Sequence, residues 1–156
     1  MEVLYNLVKL KSLAPGERIA FVRRFRRMTQ QELGLKCGMQ GPRARNRICR
    51  YERTSRKASK ERIREFAEIL DCSENMLKRY DLKDPTDIFY IMLWLEELTP
   101  NDNISNIKIE FQDSKATETV SKLFAEWRSM RRKYKKNEIS YENYMNWKLK
   151  VGMQEE

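Results

Sequence analysis

The chain has 156 residues, of which 40% are hydrophobic and 35% charged, and its formal net charge is +9. This length suits one ordinary domain, or a small domain with an appendage, and the composition is typical of a helical, soluble protein. Three scattered cysteines and the absence of histidine argue against a zinc site and against histidine-based catalysis.

The sequence lacks the patterns that are typical of membrane proteins, of exported proteins and of enzymes. The longest apolar stretch, residues 88–95, is much shorter than the roughly 20 residues that span a bilayer. No N-terminal targeting segment is recognisable, so we expect a cytoplasmic protein. We find no Gly-rich phosphate loop, no paired-carboxylate or metal-ligand spacing, and no nucleophile beside a base. We therefore expect no enzyme activity, no cofactor and no metal.

The positive charge is concentrated in one part of the chain. Residues 14–81 contain 18 Lys and Arg against 9 Asp and Glu, whereas the rest of the chain has 14 of each. A polyanionic partner would therefore bind the segment 14–81. A solvated basic surface is the alternative interpretation of the charge alone.

In chain order, residues 1–13 have the apolar spacing of a short amphipathic helix that could cover the core or form a dimer contact. A first helix follows, with Ile19, Val22 and Phe25 on one face. Thr29 and Glu32 have the spacing of a capping box, which predicts a second helix from Gln30 that ends near Gly38.

Residues 39–44 contain Gly41 and Pro42 and are predicted to form a turn. In the third helix that follows, Ile48 and Tyr51 face inward, and the opposite side is basic. Such a face suits a groove that is lined with phosphates and base edges. Ser59 and Ser73 are predicted caps of a fourth and a fifth helix, which complete a small bundle.

Residues 16–81 resemble the helix-turn-helix DNA-binding domains of the phage-repressor, or xenobiotic-response-element, type. The landmarks are Gly16-Glu17-Arg18-Ile19, Met28-Thr29-Gln30-Gln31-Glu32-Leu33-Gly34, Ile48-Cys49-Arg50-Tyr51-Glu52, Arg56, the helix 63–70 and the segment 73–77. The resemblance implies that Gln30 contacts phosphate or a base edge, and that the third helix reads bases. The predicted DNA-binding residues are Gln30, Gln31, Arg43, Arg45, Asn46, Arg47, Arg50 and Arg56. The resemblance also suggests an ion pair between Arg23 and Glu52, which we interpret as structural.

Two features depart from the commonest pattern of this family. The turn before the third helix is longer by about four residues, and Thr54 stands where a Gly usually follows the Tyr-Glu dipeptide. A subset of these regulators from Gram-positive bacteria, often carried on mobile elements, has such a lengthened turn. In that subset's geometry Arg43 could contact either phosphate or the groove.

Residues 82–156 have a different character. A helix ending at Leu98 is too apolar to leave one clean polar face, so it needs burial on two sides. Ile107, Ile109 and Phe111 alternate as in a half-buried strand, which could pair with the same strand of a second copy. A long helix over about 118–136 carries an aromatic stripe that includes Phe124 and Trp127, and this stripe is predicted to be core or dimer interface.

The long helix ends in the basic run 131–136. This run is either a solvated helix end or a second contact with the DNA backbone. A last helix begins after Ser140, and the end of the chain also resembles the tail of the Gram-positive subset.

The sequence thus predicts a mainly α protein with one short strand. Its predicted parts are an N-terminal extension (1–13), a five-helix DNA-binding domain (14–81) and a C-terminal dimerisation or effector domain (82–156). The expected function is a homodimeric, sequence-specific DNA-binding regulator that represses from a palindromic operator. The alternative is an inhibitor such as an anti-CRISPR protein, which binds a host protein through its C-terminal half and represses its own promoter.

Overall fold

The computed structural model describes residues 10–54, 56–99 and 109–153. These residues form eight helices. In chain order they are α1 (Pro15–Phe25), α2 (Gln30–Lys36), α3 (Arg43–Glu52), α4 (Lys60–Ile69), α5 (Glu74–Leu77), α6 (Asp87–Leu98), α7 (Ser114–Lys135) and α8 (Tyr141–Lys150). The chain is mainly helical, and none of the helices described is long and apolar enough to cross a membrane.

The chain divides into two compact units. The first unit contains residues 1–79 and 150–156, and the second contains residues 80–149. The boundary lies within two residues of the predicted one, but the end of the chain joins the first unit. There Lys150 pairs with Asp71 at 2.6 Å and Val151 is buried.

The first unit is built from α1 to α5, and each of these helices contributes a buried apolar face. The largest fully buried apolar side chains of this unit are Ile19, Phe21, Leu33, Ile48, Phe66, Leu70 and Met76. Burial of side chains of this size stabilises the fold by about 1.5–3 kcal/mol each before entropy is subtracted.

Three helices of the first unit begin at side-chain caps. Thr29 Oγ1 accepts from the Glu32 backbone N–H at 3.1 Å, and Glu32 accepts from the Thr29 N–H at 2.6 Å, which confirms the capping box. Ser59 and Ser73 cap α4 and α5 as predicted. Each cap satisfies a backbone donor that the helix itself leaves unpaired.

Arg18 in α1 and Arg26 at the C-terminal end of α1 bind carbonyls of other helices. Neither contact was predicted from the sequence. Arg18 is 1% exposed and donates to the carbonyls of Met76 and Lys78 at 2.7 and 2.8 Å. Arg26 donates to the carbonyl of Leu70 at 2.8 Å. These guanidiniums satisfy carbonyls at the C-terminal ends of α4 and α5, where cations are favoured.

The second unit is built from α6, α7 and α8 around an aromatic cluster. Phe89 of α6 contacts Phe124 and Trp127 of α7 edge to face, with ring centroids 5.5 and 6.5 Å apart. Phe124 and Trp127 are 5% and 3% exposed within a single chain. Of the two predicted alternatives, core or dimer interface, their burial within one chain supports the core. Their assignment as dimer contacts is corrected, because side chains covered by their own chain leave almost no surface for a partner.

The predicted strand is also corrected. Ile109 and Phe111 lie in a segment without regular structure before α7, and no strand occurs in the ranges described. Ile107 and residues 1–9, predicted as strand and as helix, lie outside the described residues. A lone strand has no neighbour within the chain to satisfy its backbone groups, so alternation over five residues is a weak predictor.

A buried ionic cluster joins the three helices of the second unit. Lys148, 1% exposed at its side chain, lies 2.5 Å from Glu96 and 2.6 Å from Glu97. Arg131 of α7 pairs with the other oxygen of Glu96 at 2.6 Å, and Tyr144 donates to Glu96 at 2.8 Å. The two carboxylates and two cations balance, as burial of charge requires.

Candidate nucleic-acid interface

Helices α2 and α3 meet at Gly34 and Ala44. A Cβ on Gly34 would lie 2.8 Å from both the Cβ and the carbonyl oxygen of Ala44, so only glycine fits there. Ala44 is fully buried, and α3 begins at Arg43, so the connection from α2 covers residues 37–42. The predicted turn, 39–44, extended two residues too far. Arg43 and Ala44 already belong to the first turn of α3, where Ala44 is buried.

We expect Gly34→Ala to destabilise the protein by about 1–3 kcal/mol, because the backbone of α3 must move to admit the new methyl group. Thermal and urea unfolding would measure the loss. Leu35→Ala, at the adjacent and half-exposed position, is the control and should change stability by about 0.5 kcal/mol or less. Equal effects of the two substitutions would contradict the close helix approach.

Helix α3 has one buried and one exposed face. Ala44, Ile48, Tyr51 and Glu52 are buried. The exposed residues of the helix are Arg43, Arg45, Asn46, Arg47 and Arg50. All five belong to the predicted DNA-binding set, and they lie together on one continuous surface because they are the positions left over by the inward-facing stripe.

The buried end of α3 is held by Glu52. Arg23 of α1 donates to both oxygens of Glu52, at 2.5 and 3.0 Å, which forms the bidentate pair that the resemblance suggested. Gln30 of α2 also donates to Glu52, at 2.7 Å. One carboxylate therefore joins α1, α2 and α3, and the Gln30 amide faces this site in the free protein.

Gln31 holds the start of α3. Its Oε1 accepts from the backbone N–H of Arg45 at 3.1 Å, and its Nε2 donates to the carbonyl of Gly41 at 3.2 Å. Pro42, the residue before α3, provides no side-chain cap, so Gln31 supplies one from α2. In the free protein Gln31, which the sequence predicts as a DNA contact, therefore positions the start of α3. No local pattern identifies this role, because the partners lie 10 and 14 residues away.

Beyond α3, Arg56 is exposed and its guanidinium lies 5.2 Å from the centre of the Tyr51 ring. Tyr51 in turn packs edge to face on Phe66. Thr54, which replaces the family's usual Gly, has a φ of +60°. The chain thus keeps the left-handed turn that a glycine would favour.

The electrostatics of this surface are one-sided. Residues 36–60 contain nine Lys and Arg, and Glu52 is their only acidic residue. All nine cations are exposed, whereas Glu52 is buried and bound to Arg23. The field of this surface is therefore strongly positive and suits a polyanion.

Cys37 and Cys72 are poor nucleophiles. Burial raises the pKa of Cys37 to about 11, with a smaller contribution from Glu65, and burial raises the pKa of Cys72 to about 12. Both thiols are protonated at neutral pH, and it is the thiolate that reacts or binds metal. No group of metal-binding side chains occurs within the described ranges.

Comparison with models of protein families, with curated proteins and with solved structures finds no match to this chain.

Proposed function

We propose that the protein is a sequence-specific, double-stranded-DNA-binding transcription regulator, in which α2 and α3 act as a helix-turn-helix and α3 enters the major groove. The observation that carries the proposal is the exposed face of α3. Four arginines and one asparagine share this face, and no carboxylate is exposed between residues 36 and 60.

The chemistry of these side chains fits base recognition as well as phosphate binding. Arginine can donate two hydrogen bonds to guanine, and asparagine can bind adenine with two, each pair being worth about 1–3 kcal/mol of discrimination. A rigid helix is needed to present them in register. Gln31 at the start of α3 and Glu52 at its end supply that rigidity.

We propose that two protomers bind a palindromic operator, with their α3 helices about one turn of DNA apart. Occupancy of a promoter would then exclude polymerase, so repression, including that of the protein's own gene, is the proposed outcome. Ile109 and Phe111 are only partly covered within one chain, and we propose that they contribute to the dimer through their side chains and not as a paired strand, whereas Phe124 and Trp127 are buried.

The proposal is tested by fluorescence anisotropy with DNA from upstream of the protein's own gene and with a scrambled duplex, each at two salt concentrations. We expect the native fragment to bind about a thousandfold or more tightly than the scrambled one, with two protomers per site. Weak, sequence-independent binding that is lost with salt would contradict the proposal. It would favour the alternative, a protein partner of the second unit.

Individual residues of the interface should separate base reading from backbone binding. We expect Arg45→Ala and Arg50→Ala to weaken operator binding by about 1–3 kcal/mol while affecting scrambled DNA less. Arg56→Ala should weaken binding to both duplexes alike. Circular dichroism of each variant would show that the fold is retained. Equal losses on both duplexes for all three variants would contradict the assignment of α3 as the reading helix.

A further inference from the structure

The second unit carries its own concentrated positive charge at the end of α7. Residues 128–136 contain six Lys and Arg and no acidic residue. The rest of the unit contains five Lys against twelve Asp and Glu. The basic segment is therefore a separate feature and does not continue a generally basic surface.

The buried contacts of α7 fix which of these cations point outward. Val120, Phe124 and Trp127 are buried, and Arg131, one turn further on, is bound to Glu96 at 2.6 Å. Residues at spacings of four lie on one side of a helix. Arg128 and Arg132, with Lys136 at the cap directly after α7, therefore lie along one side of the helix, next to this anchored face. We call these three exposed residues the α7 ridge.

The ridge is not neutralised by any residue that the structure describes. Among the residues described, no carboxylate lies within ion-pair distance of the side chains of Arg128, Arg132 or Lys136, although Lys122 on the same helix pairs with Glu118. Unpaired cations in a row leave a potential that a partner of opposite charge can use.

The chemistry of the ridge favours phosphate over a protein surface. Protein interfaces depend on buried aromatic or aliphatic anchors surrounded by polar groups. The large hydrophobic side chains that are exposed in the described ranges are Leu35, Leu82 and Met153, and none of them lies on α7. A row of cations without an apolar anchor is sufficient for DNA phosphates, which need only charge and hydrogen-bond donors.

We infer that the α7 ridge is a second, sequence-independent DNA-binding surface that contacts the phosphate backbone outside the base pairs read by α3. This inference depends on the proposed function for its first contact. It predicts that the protein makes more phosphate contacts with a duplex that has flanking DNA on both sides than with a duplex limited to the operator.

The test compares two triple variants of the full-length protein. The ridge variant carries Arg128→Gln, Arg132→Gln and Lys136→Gln. The matched control carries Lys115→Gln, Lys122→Gln and Lys133→Gln, which removes the same charge from exposed positions of the same helix. Binding to operator duplexes with and without flanking DNA is measured over a series of salt concentrations.

With flanking DNA, the ridge variant should bind at least about tenfold more weakly at 0.1 M salt, with a salt slope that is flatter by up to about 2.7 for three lost contacts. The control variant should bind like the unmodified protein. On the duplex without flanks, all three proteins should bind alike.

Equal behaviour of ridge and control variants on the flanked duplex would overturn the inference, and losses from Arg45→Ala and Arg50→Ala would still support the proposed function. If the ridge variant loses binding while Arg45→Ala and Arg50→Ala do not, the DNA-binding role of the ridge would be supported and the base-reading role of α3 would be contradicted. If the unmodified protein fails to bind either duplex, both proposals fail.

Discussion

Lys148→Met is expected to destabilise the protein by about 3–5 kcal/mol, because it leaves the buried carboxylates of Glu96 and Glu97 with only part of their compensation. The Lys148 side chain is 1% exposed and lies within 2.6 Å of both carboxylates. Methionine fills a similar volume, so the loss would report charge and not packing. Urea unfolding at neutral pH gives the measurement.

The pH dependence identifies the cause of this loss. Burial by itself would raise the pKa of Glu96, but Lys148, Tyr144 and Arg131 outweigh it and hold the pKa below its usual value. The intact cluster therefore adds stability above the unfolded-state pKa of about 4.3. That contribution is lost as the pH falls through the lowered pKa. Without Lys148 the Glu96 carboxylate loses the charge that lowers its pKa most, so its protonation is favoured. The difference in unfolding free energy between variant and unmodified protein should therefore narrow as the pH falls from 7 to 5.

Lys150→Met is the matched control, because Lys150 lies two residues away with 47% of its side chain exposed in its pair with Asp71. Exposed pairs are worth about 0–1 kcal/mol, so this variant should unfold nearly as the unmodified protein does. Similar losses from the two substitutions, or a gap that does not change with pH, would contradict the role assigned to the buried cluster.

Glu52→Gln is expected to cost about 3–5 kcal/mol, since the Arg23 guanidinium then lacks its buried counter-charge. The side chains of Arg23 and Glu52 are 11% and 7% exposed. Operator binding should fall as well, because Glu52 also accepts from Gln30 and so joins both helices of the interface to α1. Unfolding by urea and anisotropy with operator DNA are measured on the same preparation.

The control for this variant is Glu74→Gln, which breaks the exposed pair with Arg64. That pair should contribute little, since solvent screens it. A second check replaces both partners, Arg23→Met with Glu52→Met, which should be less destabilising than Glu52→Gln alone. A double variant at least as unstable as the single one would show that packing, and not the buried charge, controls the stability of this site.

Much of the first unit could be predicted from patterns within a few residues. Thr29 with Glu32 marked the start of α2, and Ser59 and Ser73 marked the starts of α4 and α5. The inward spacing of Ile48 and Tyr51 predicted which side of α3 is exposed. These features depend on the helical repeat and on backbone donors nearby, so the local sequence is sufficient.

The second unit was less predictable. An aromatic stripe has the same sequence pattern whether its own chain or a second copy covers it, and Phe89 of α6 covers Phe124 and Trp127. The alternation at Ile109 and Phe111 did not produce a strand, because a strand also needs a neighbour. Both the burial of the aromatic stripe and the absence of a strand at these two residues depend on residues that are distant in sequence.

By itself the sequence determined the helical composition, the starts of α2, α4 and α5, the exposed basic face of α3 and the location of the positive charge. Only the tertiary structure determined which groups form hydrogen bonds or ion pairs with the buried polar side chains and with the polar side chains that link one helix to another. Gln31 binds a backbone group 14 residues away, and Lys148 binds a carboxylate 51 residues away. Helix caps and periodicity are set by neighbours within about four residues, whereas a buried charge is stable only beside whichever counter-charge the fold brings to it.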